Sequence, residues 1–386
     1  MENLLSRLEP EEFVIACAKV PRSGVEMRSA SGNMRVCDVL RPPITGRSFR
    51  IDQLIMSLYF GTPLPARALQ RLARRYNCGA ILGVYSDIYA LTAARRASAM
   101  LGLPLALYLH DPIAEGTQGS RVHEYARKVQ NRLFAEHHLV FSMSEGLAAM
   151  LQRKYGLETI PLPHCYNELP SEPSSSGPRE PGPKTALFSG TIYEINRPAV
   201  VRAAKAAIRA GYRVVCTSEH AAGILRSDGV EAASVDVKGA PNRGDYLALL
   251  RNQDVLFVAL AWPDESPIHR DSLATLFPTK IPEYLGAARP ILVHSPEDYF
   301  LSTFTAEHRC GILVCERNEA RLLETWTRLR DDPDLALRLG QSARDTVSYF
   351  DGRRIAGVFR HHVEGLVARG SVHRAQAGAV QKPLDR

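Results

Sequence analysis

The chain has 386 residues, of which 45% are hydrophobic and 23% charged. That length is too great for one ordinary core and suits two domains of roughly 150–200 residues each, while the balance is globular and excludes global disorder. The formal net charge is +7, and residues 1–165 hold most of the excess, with 20 Lys and Arg against 14 Asp and Glu, a net of +6. Seven cysteines (Cys17, Cys37, Cys78, Cys165, Cys216, Cys310 and Cys315) form no C-x-x-C pair. This is the usage of a reducing compartment, with neither a disulfide framework nor a zinc site. The start, Met1-Glu2-Asn3, lacks a basic flank and a long apolar stretch, so no signal peptide is read. No apolar run reaches the ~18–20 residues that cross a bilayer, and the expected location is the cytoplasm.

In chain order, the first half offers strands at 13–20, 80–85, 105–110 and 139–142, with helical patterns at 64–76 and 89–101 between them. A stretch dominated by Pro, Ser and Gly follows at 167–184 (NELPSEPSSSGPREPGPK) and reads as an exposed connector. The second half offers strands at 186–189, 213–217, 255–260 and 290–294, and helical patterns at 198–210, 245–251 and 280–287. Three helical segments close the chain at 319–330, 333–348 and 354–367, and the tail 369–386 is expected to be disordered. Apolar runs of four to eight residues alternating with helices predict parallel sheets covered on both faces. The expected fold class is α/β, with two Rossmann-like doubly wound domains, 1–166 and 185–350, facing a cleft. Ligands of such sheets bind beyond the carboxyl ends of the strands.

The segment Phe277-Pro278-Thr279-Lys280-Ile281-Pro282-Glu283-Tyr284-Leu285-Gly286-Ala287-Ala288-Arg289-Pro290-Ile291-Leu292-Val293 carries the most chemistry. Thr279 reads as the N-cap of a helix that starts at Lys280. A lysine in a first turn works against the helix dipole unless an anion sits beside it. Glu283, three residues on, shares its face and suits a pair of ribose hydroxyls. The same spacing also writes a Thr-capped surface helix with a Lys–Glu pair.

This string resembles the sugar-nucleotide motif of family 4 glycosyltransferases, which have the GT-B fold. The resemblance implies that Lys280 contacts a donor diphosphate and Glu283 its ribose. Position 275, where the first Glu of the family's E-x7-E motif would fall, is Thr. Leu103-Pro104-Leu105-Ala106-Leu107-Tyr108-Leu109-His110-Asp111 resembles the strand that ends on a catalytic His in the acceptor domain, which singles out His110. As sequence alone, His110-Asp111-Pro112 is equally a turn after a strand. Phe141-Ser142-Met143-Ser144-Glu145-Gly146-Leu147 resembles a strand-to-helix turn of the family, with Ser144 also an ordinary N-cap. Phe188-Ser189-Gly190-Thr191-Ile192-Tyr193-Glu194-Ile195-Asn196-Arg197 matches the opening strand and Gly loop of the donor domain. Gly190 and Thr191 would lie against phosphate, and Arg197 would grip it where relatives have a basic pair. The loop residues Asp264, Glu265, His269, Arg270 and Asp271 would edge the donor sugar. The pairs His137-His138 and His361-His362 are adjacent and diverge, so no metal is read from them. The family's first strand and its Gly-rich loop would lie upstream of Met1, so the first strand of the N-terminal domain is expected to be missing.

The resemblance implies a retaining, metal-independent glycosyltransferase of hexosyltransferase type. No cofactor is expected, the nucleotide diphosphate sugar being the donor substrate. The acceptor would be a glycan or a lipid-linked glycan. The basic excess, including Arg74, Arg75, Arg95 and Arg96, suggests peripheral contact with the anionic inner face of a membrane. Nucleic acid is disfavoured, because basic and aromatic residues do not interleave. The alternatives are a non-catalytic nucleotide-sugar-binding relative and a GT-B sugar-nucleotide epimerase. The helix at 354–367 is expected to pack back on the first domain, through Ile355, Val358, Val363 and Leu366.

Overall fold

The computed structural model describes residues 2–9, 11–18, 36–40, 49–85, 87–117, 119, 122–173 and 182–380. Positions 19–20 of the first expected strand, 174–181 of the connector and 381–386 of the tail lie outside the described residues. The chain divides into two compact units, Met1–Pro163 with Gly352–Arg386, and His164–Asp351.

In the first unit, β1 (Ile15–Ala18) and β2 (Val36–Leu40) pair in parallel. A second parallel sheet runs in the order β3 (Ile81–Tyr85), β4 (Leu105–Leu109), β5 (Leu139–Ser142) and β6 (Ile160–Pro161). All of β4, Leu-Ala-Leu-Tyr-Leu, is buried, as a central parallel strand covered on both faces must be. The helix Ile88–Leu101 opens at Asp87, whose carboxylate accepts the Tyr89 N–H at 2.7 Å. Ser144 caps the helix Glu145–Tyr155 by accepting the Leu147 N–H at 3.1 Å.

The last helix, Gly352–Val380, belongs to this unit. Its Phe359 ring lies 5.4 Å from Phe141, and Arg360 pairs with Glu12 at 3.0 Å. A Cβ on Gly79 would stand 2.6 Å from Cγ1 of Val367, so only glycine admits the helix there. The tail is helical through Val380, which corrects the expectation of disorder from 369. No proline interrupts the chain before Pro383, and Ala, Gln and Arg sustain a helix.

Two of the four arginines read as a membrane face are used inside this unit. Arg95 pairs with Glu136 at 2.7 Å. Arg96 donates from one nitrogen to the carbonyls of Phe60, Gly61 and Thr62 at 2.8–2.9 Å, closing the end of the helix Phe49–Gly61.

In the second unit one parallel sheet of six strands has the order β12-β11-β10-β7-β8-β9. These are β7 (Thr185–Phe188), β8 (Arg213–Cys216), β9 (Val235–Val237), β10 (Val255–Ala259), β11 (Ile291–His294) and β12 (Ile312–Val314). Phe188 and Phe257 meet at 5.6 Å, and Trp326 stands edge-on to Phe257 at 5.7 Å. The helix Arg197–Arg209 buries Ala199, Ala203, Ala206 and Ala207, whose small side chains let it lie close to the sheet. Four strands escaped the sequence reading: β2, β6, β9 and β12. Each is short, and an Asp interrupts the apolar run of β2 and of β9.

The first part of the expected connector is structured. The Tyr166 ring occupies the space a side chain at Gly286 would need, and Ser171 N–H donates to Gly286 O at 2.8 Å. Glu172 pairs with Arg344 at 2.7 Å. Tyr166 precedes the Pro/Ser run, and once its ring is buried it carries the next residues along the second unit.

Candidate functional site

The strand order of the second unit sets where its ligand site falls. From β7 the chain proceeds to β8 and β9 on one side, then returns to β10 beside β7 and continues to β11 and β12 on the other. At this reversal the loops leaving β7 and β10 diverge, and open parallel sheets bind ligands there. The loop after β7 holds Ser189, Gly190 and Thr191. The loop after β10 is tied to it by Ala261 N–H donating to Ile195 O at 2.9 Å.

Gly190 has φ +99 and is the pivot of the site. A Cβ there would lie 2.9 Å from Nζ of Lys280. The Lys280 ammonium donates to Ser189 O and sits 4.3 Å over the Phe188 ring. No carboxylate contacts it among the described residues, and burial pulls its pKa down to about 8. A cation with only a carbonyl and a ring for company lacks a counter-ion, and an anionic ligand supplies one.

The Gly190 N–H donates to the Thr217 hydroxyl at 3.1 Å, and the Ser189 N–H to the Tyr284 hydroxyl at 2.9 Å. At Gly190 the N–H is thus engaged by Thr217, and the missing side chain makes room for Lys280. Thr191 is exposed, and its carbonyl takes a hydrogen bond from Asn196 Nδ2 at 3.1 Å.

Thr279 is exposed and is not the N-cap. Lys280 occupies that position for the helix Ile281–Gly286, with no side-chain cap. The two N–H groups a Thr279 cap would take are not on offer: Ile281 N–H donates to Pro278 O at 3.0 Å, and Pro282 has none.

Glu283 does not pair with Lys280. Its Oε1 takes a bond from Arg243 at 3.2 Å, and Arg243 also forks onto Glu168. Its Oε2 is buried and has no hydrogen-bond partner among the described residues. Burial pushes the Glu283 carboxyl up, and Arg243 works the other way. An orphaned carboxylate oxygen suits a ligand hydroxyl.

Arg197 is spent elsewhere. It forks onto Asp228 at 2.8 and 2.6 Å at the start of its helix. Its fork is therefore occupied by an acid of its own unit. The polar loop after β10 is likewise paired. Arg202 grips Glu265 at 2.8 and 3.1 Å, Asp264 meets Arg317 at 2.6 Å, and Arg270 meets Asp298 at 2.5 Å. His269 accepts the Asp271 N–H at 3.2 Å. Thr275 donates to the carbonyls of Asp271 and Ser272, closing the helix Arg270–Thr275.

His110 stands in the first unit, just past the carboxyl end of β4. Its ring lies 4.5 Å from that of Tyr108, and burial lowers its pKa to about 4, so it is neutral at physiological pH. Asp111 beside it is pushed up by burial.

Sequence reasoning missed Arg243, Glu168, Tyr246 and Thr217. Tyr246 shares a 2.9 Å hydrogen bond with the Ser189 hydroxyl, and burial pushes its phenol up to about 12. None of the four belongs to the quoted motifs, and no signal in the linear chain joins them to Lys280 or Glu283.

The two parallel-sheet α/β units in one chain match the GT-B fold. Solved glycosyltransferase structures carry it. Sucrose-phosphate synthase from Thermosynechococcus elongatus matches with a TM-score of 0.66 at 16% identity, over 92% of this chain and 88% of that one. The Anabaena protein HepE in complex with UDP-glucose matches at 0.62 and 15%, over 87% of each chain. Trehalose 6-phosphate synthase from Burkholderia multivorans matches at 0.54 and 14%, over 88% of this chain and 79% of that one. At these identities the likeness is one of fold. No protein-family model matches the chain, and no curated protein does. Among the described residues no helix is long and apolar enough to cross a membrane.

Proposed function

We propose that this protein is a glycosyltransferase of the family 4 kind, of hexosyltransferase type. It would move a sugar from a nucleotide diphosphate sugar to a hydroxyl of a glycan or lipid-linked acceptor. The observation that carries this reading is the half-buried Lys280 ammonium, held at Gly190 without a counter-ion. The unpartnered Oε2 of Glu283 on the same short helix supports it, as a seat for ribose.

In the transfer, the bond between the sugar's anomeric carbon and the diphosphate breaks and the acceptor oxygen bonds to the same face, so configuration is retained. The acceptor's proton passes to the departing phosphate oxygen. Negative charge builds on the diphosphate, and Lys280 would stabilise it more in the transition state than in the ground state. The Lys280 cation would do what a divalent metal does in other transferases, so we expect none. His110, neutral and at a strand's carboxyl end, is assigned as the first unit's hydrogen-bonding contribution to the chemistry. Gly190 and Thr191 keep their place as the loop lining the donor, Thr279 flanks Lys280, and Arg197 drops out of the donor set. We assign the protein to the cytoplasmic side, in reversible contact with the anionic face of a membrane.

Thr275 motivates a second reading, a nucleotide-sugar-binding relative without transfer activity, because its hydroxyl is tied to its own helix. Purified protein is titrated calorimetrically with UDP and GDP, then incubated with UDP-glucose and a glycan acceptor. Tight binding with release of UDP supports transfer. Tight binding without turnover supports the second reading, and inversion at the sugar's C2 would identify an epimerase. Absence of binding to both nucleotides sinks the donor-site assignment.

A further inference from the structure

The helix Phe49–Gly61 is fastened to its unit along one side. Its Phe60 is buried, packs on Ala93 and stacks on the Tyr89 ring at 5.8 Å. Away from that side, Ile51, Leu54 and Leu58 are 52%, 60% and 63% exposed. Spacings of three and four put them in one row. The next helix, Leu64–Arg75, in the same unit, exposes charge. Leu64 is exposed at its start, and Arg67, Arg71, Arg74 and Arg75 follow, all exposed, while Pro65, Ala66, Leu72 and Ala73 are buried opposite. The helix has no acidic residue, and none of its four arginines pairs with a carboxylate among the described residues.

We propose that these two helices are the face on which the protein lies on an anionic bilayer. Ile51, Leu54 and Leu58 enter the boundary between headgroups and acyl chains, and the four arginines meet lipid phosphates. The inference rests on the membrane contact proposed above and locates it. An exposed apolar row on one helix and an unneutralised cationic row on the next match a surface that is greasy beneath and negative on top. A second copy of this chain matches less well, because a two-fold pairing brings two unneutralised arginine rows into one interface, and the helix that carries them has no acid to offer. Nucleic acid would neutralise the arginines and leave the leucines in water. The assignment also replaces Arg95 and Arg96, which are consumed by Glu136 and by backbone carbonyls.

The test is co-sedimentation of the full chain with phosphatidylcholine vesicles and with mixed phosphatidylcholine–phosphatidylglycerol vesicles, at ~0.1 M and ~1 M salt. The expected wild-type result is pelleting with the mixed vesicles and weakening at high salt. L54E/L58E should lower binding roughly tenfold or more at both salts. R67E/R71E/R74E/R75E should do so chiefly at low salt. L58Q, a milder exposed change, should give a smaller loss in the same direction, and unchanged UDP affinity reports that the second unit is intact. Wild-type protein that pellets with neither vesicle overturns the membrane contact itself. Pelleting that survives both multiple variants keeps the contact and overturns this face as its seat. A concentration-dependent dimer abolished by L54E/L58E identifies a second copy and overturns the lipid assignment.

Discussion

Lys280 and Gly190 occupy one space: the ammonium stands 2.9 Å from where a Cβ on the glycine would be. The conformation of one residue and the position of the other are thus a single structural fact. Gly190→Ala puts a methyl against the ammonium and an alanine at φ +99. Such strain costs roughly 1–3 kcal/mol. Urea unfolding should show a loss of that size, and calorimetry should show weaker UDP binding because the ammonium has been moved. An alanine variant of wild-type stability and affinity would dissolve the link.

Lys280→Ala should leave the fold intact and cost about 1.5–3 kcal/mol of nucleotide diphosphate binding, the worth of a charge-assisted contact. The pH dependence follows from the direction of its shift. Burial lowers the free protein's Lys280 pKa to about 8, and a bound diphosphate raises it. Binding therefore takes up a proton above that pKa. The Lys280 contribution to affinity should be complete below about pH 8 and be lost as pH rises through it. UDP titrations across this range check it: the fall should vanish in Lys280→Ala.

Glu283→Ala should weaken UDP binding by about 1.5–3 kcal/mol. Arg243→Gln tests the neighbour. Arg243 opposes the burial that pushes the Glu283 carboxyl up, so its removal lets that carboxyl rise further. A protonated carboxyl receives ribose hydroxyls less well, so affinity should decline on the acid side, beginning at higher pH in Arg243→Gln than in wild type. Superimposable acid limbs would break the connection between Arg243 and the donor.

His110 should act as a neutral imidazole. Its pKa of about 4 lies far below the usual histidine range because burial disfavours the cation. A turnover profile should show no inflection at the ordinary histidine pKa of ~6.5. His110→Phe should lower kcat and leave UDP affinity unchanged, since the Lys280 site is built within the other unit. A histidine-like inflection abolished by His110→Phe would contradict the neutral assignment.

Much of the architecture is legible in the sequence. Leu105–Leu109, Val255–Ala259 and Ile291–His294 are unbroken apolar runs between amphipathic segments, and parallel strands buried on both faces need that pattern. Lys280 and Glu283 were also legible, because a charge that opposes a helix dipole and a carboxylate one turn later are local oddities. Strand order and side-chain partnership were decided by tertiary structure alone. Lys280 reaches Ser189 across 91 residues, and Arg243 reaches Glu283 across 40. Periodicity carries no record of such pairs; they exist only once β7 and β10 lie side by side. The same holds for what failed: Thr279 read correctly as a capping residue type and Arg197 as a phosphate grip. Pro282 has no N–H and Pro278 O took that of Ile281, which left the first no donor, and Asp228, 31 residues on, claimed the second.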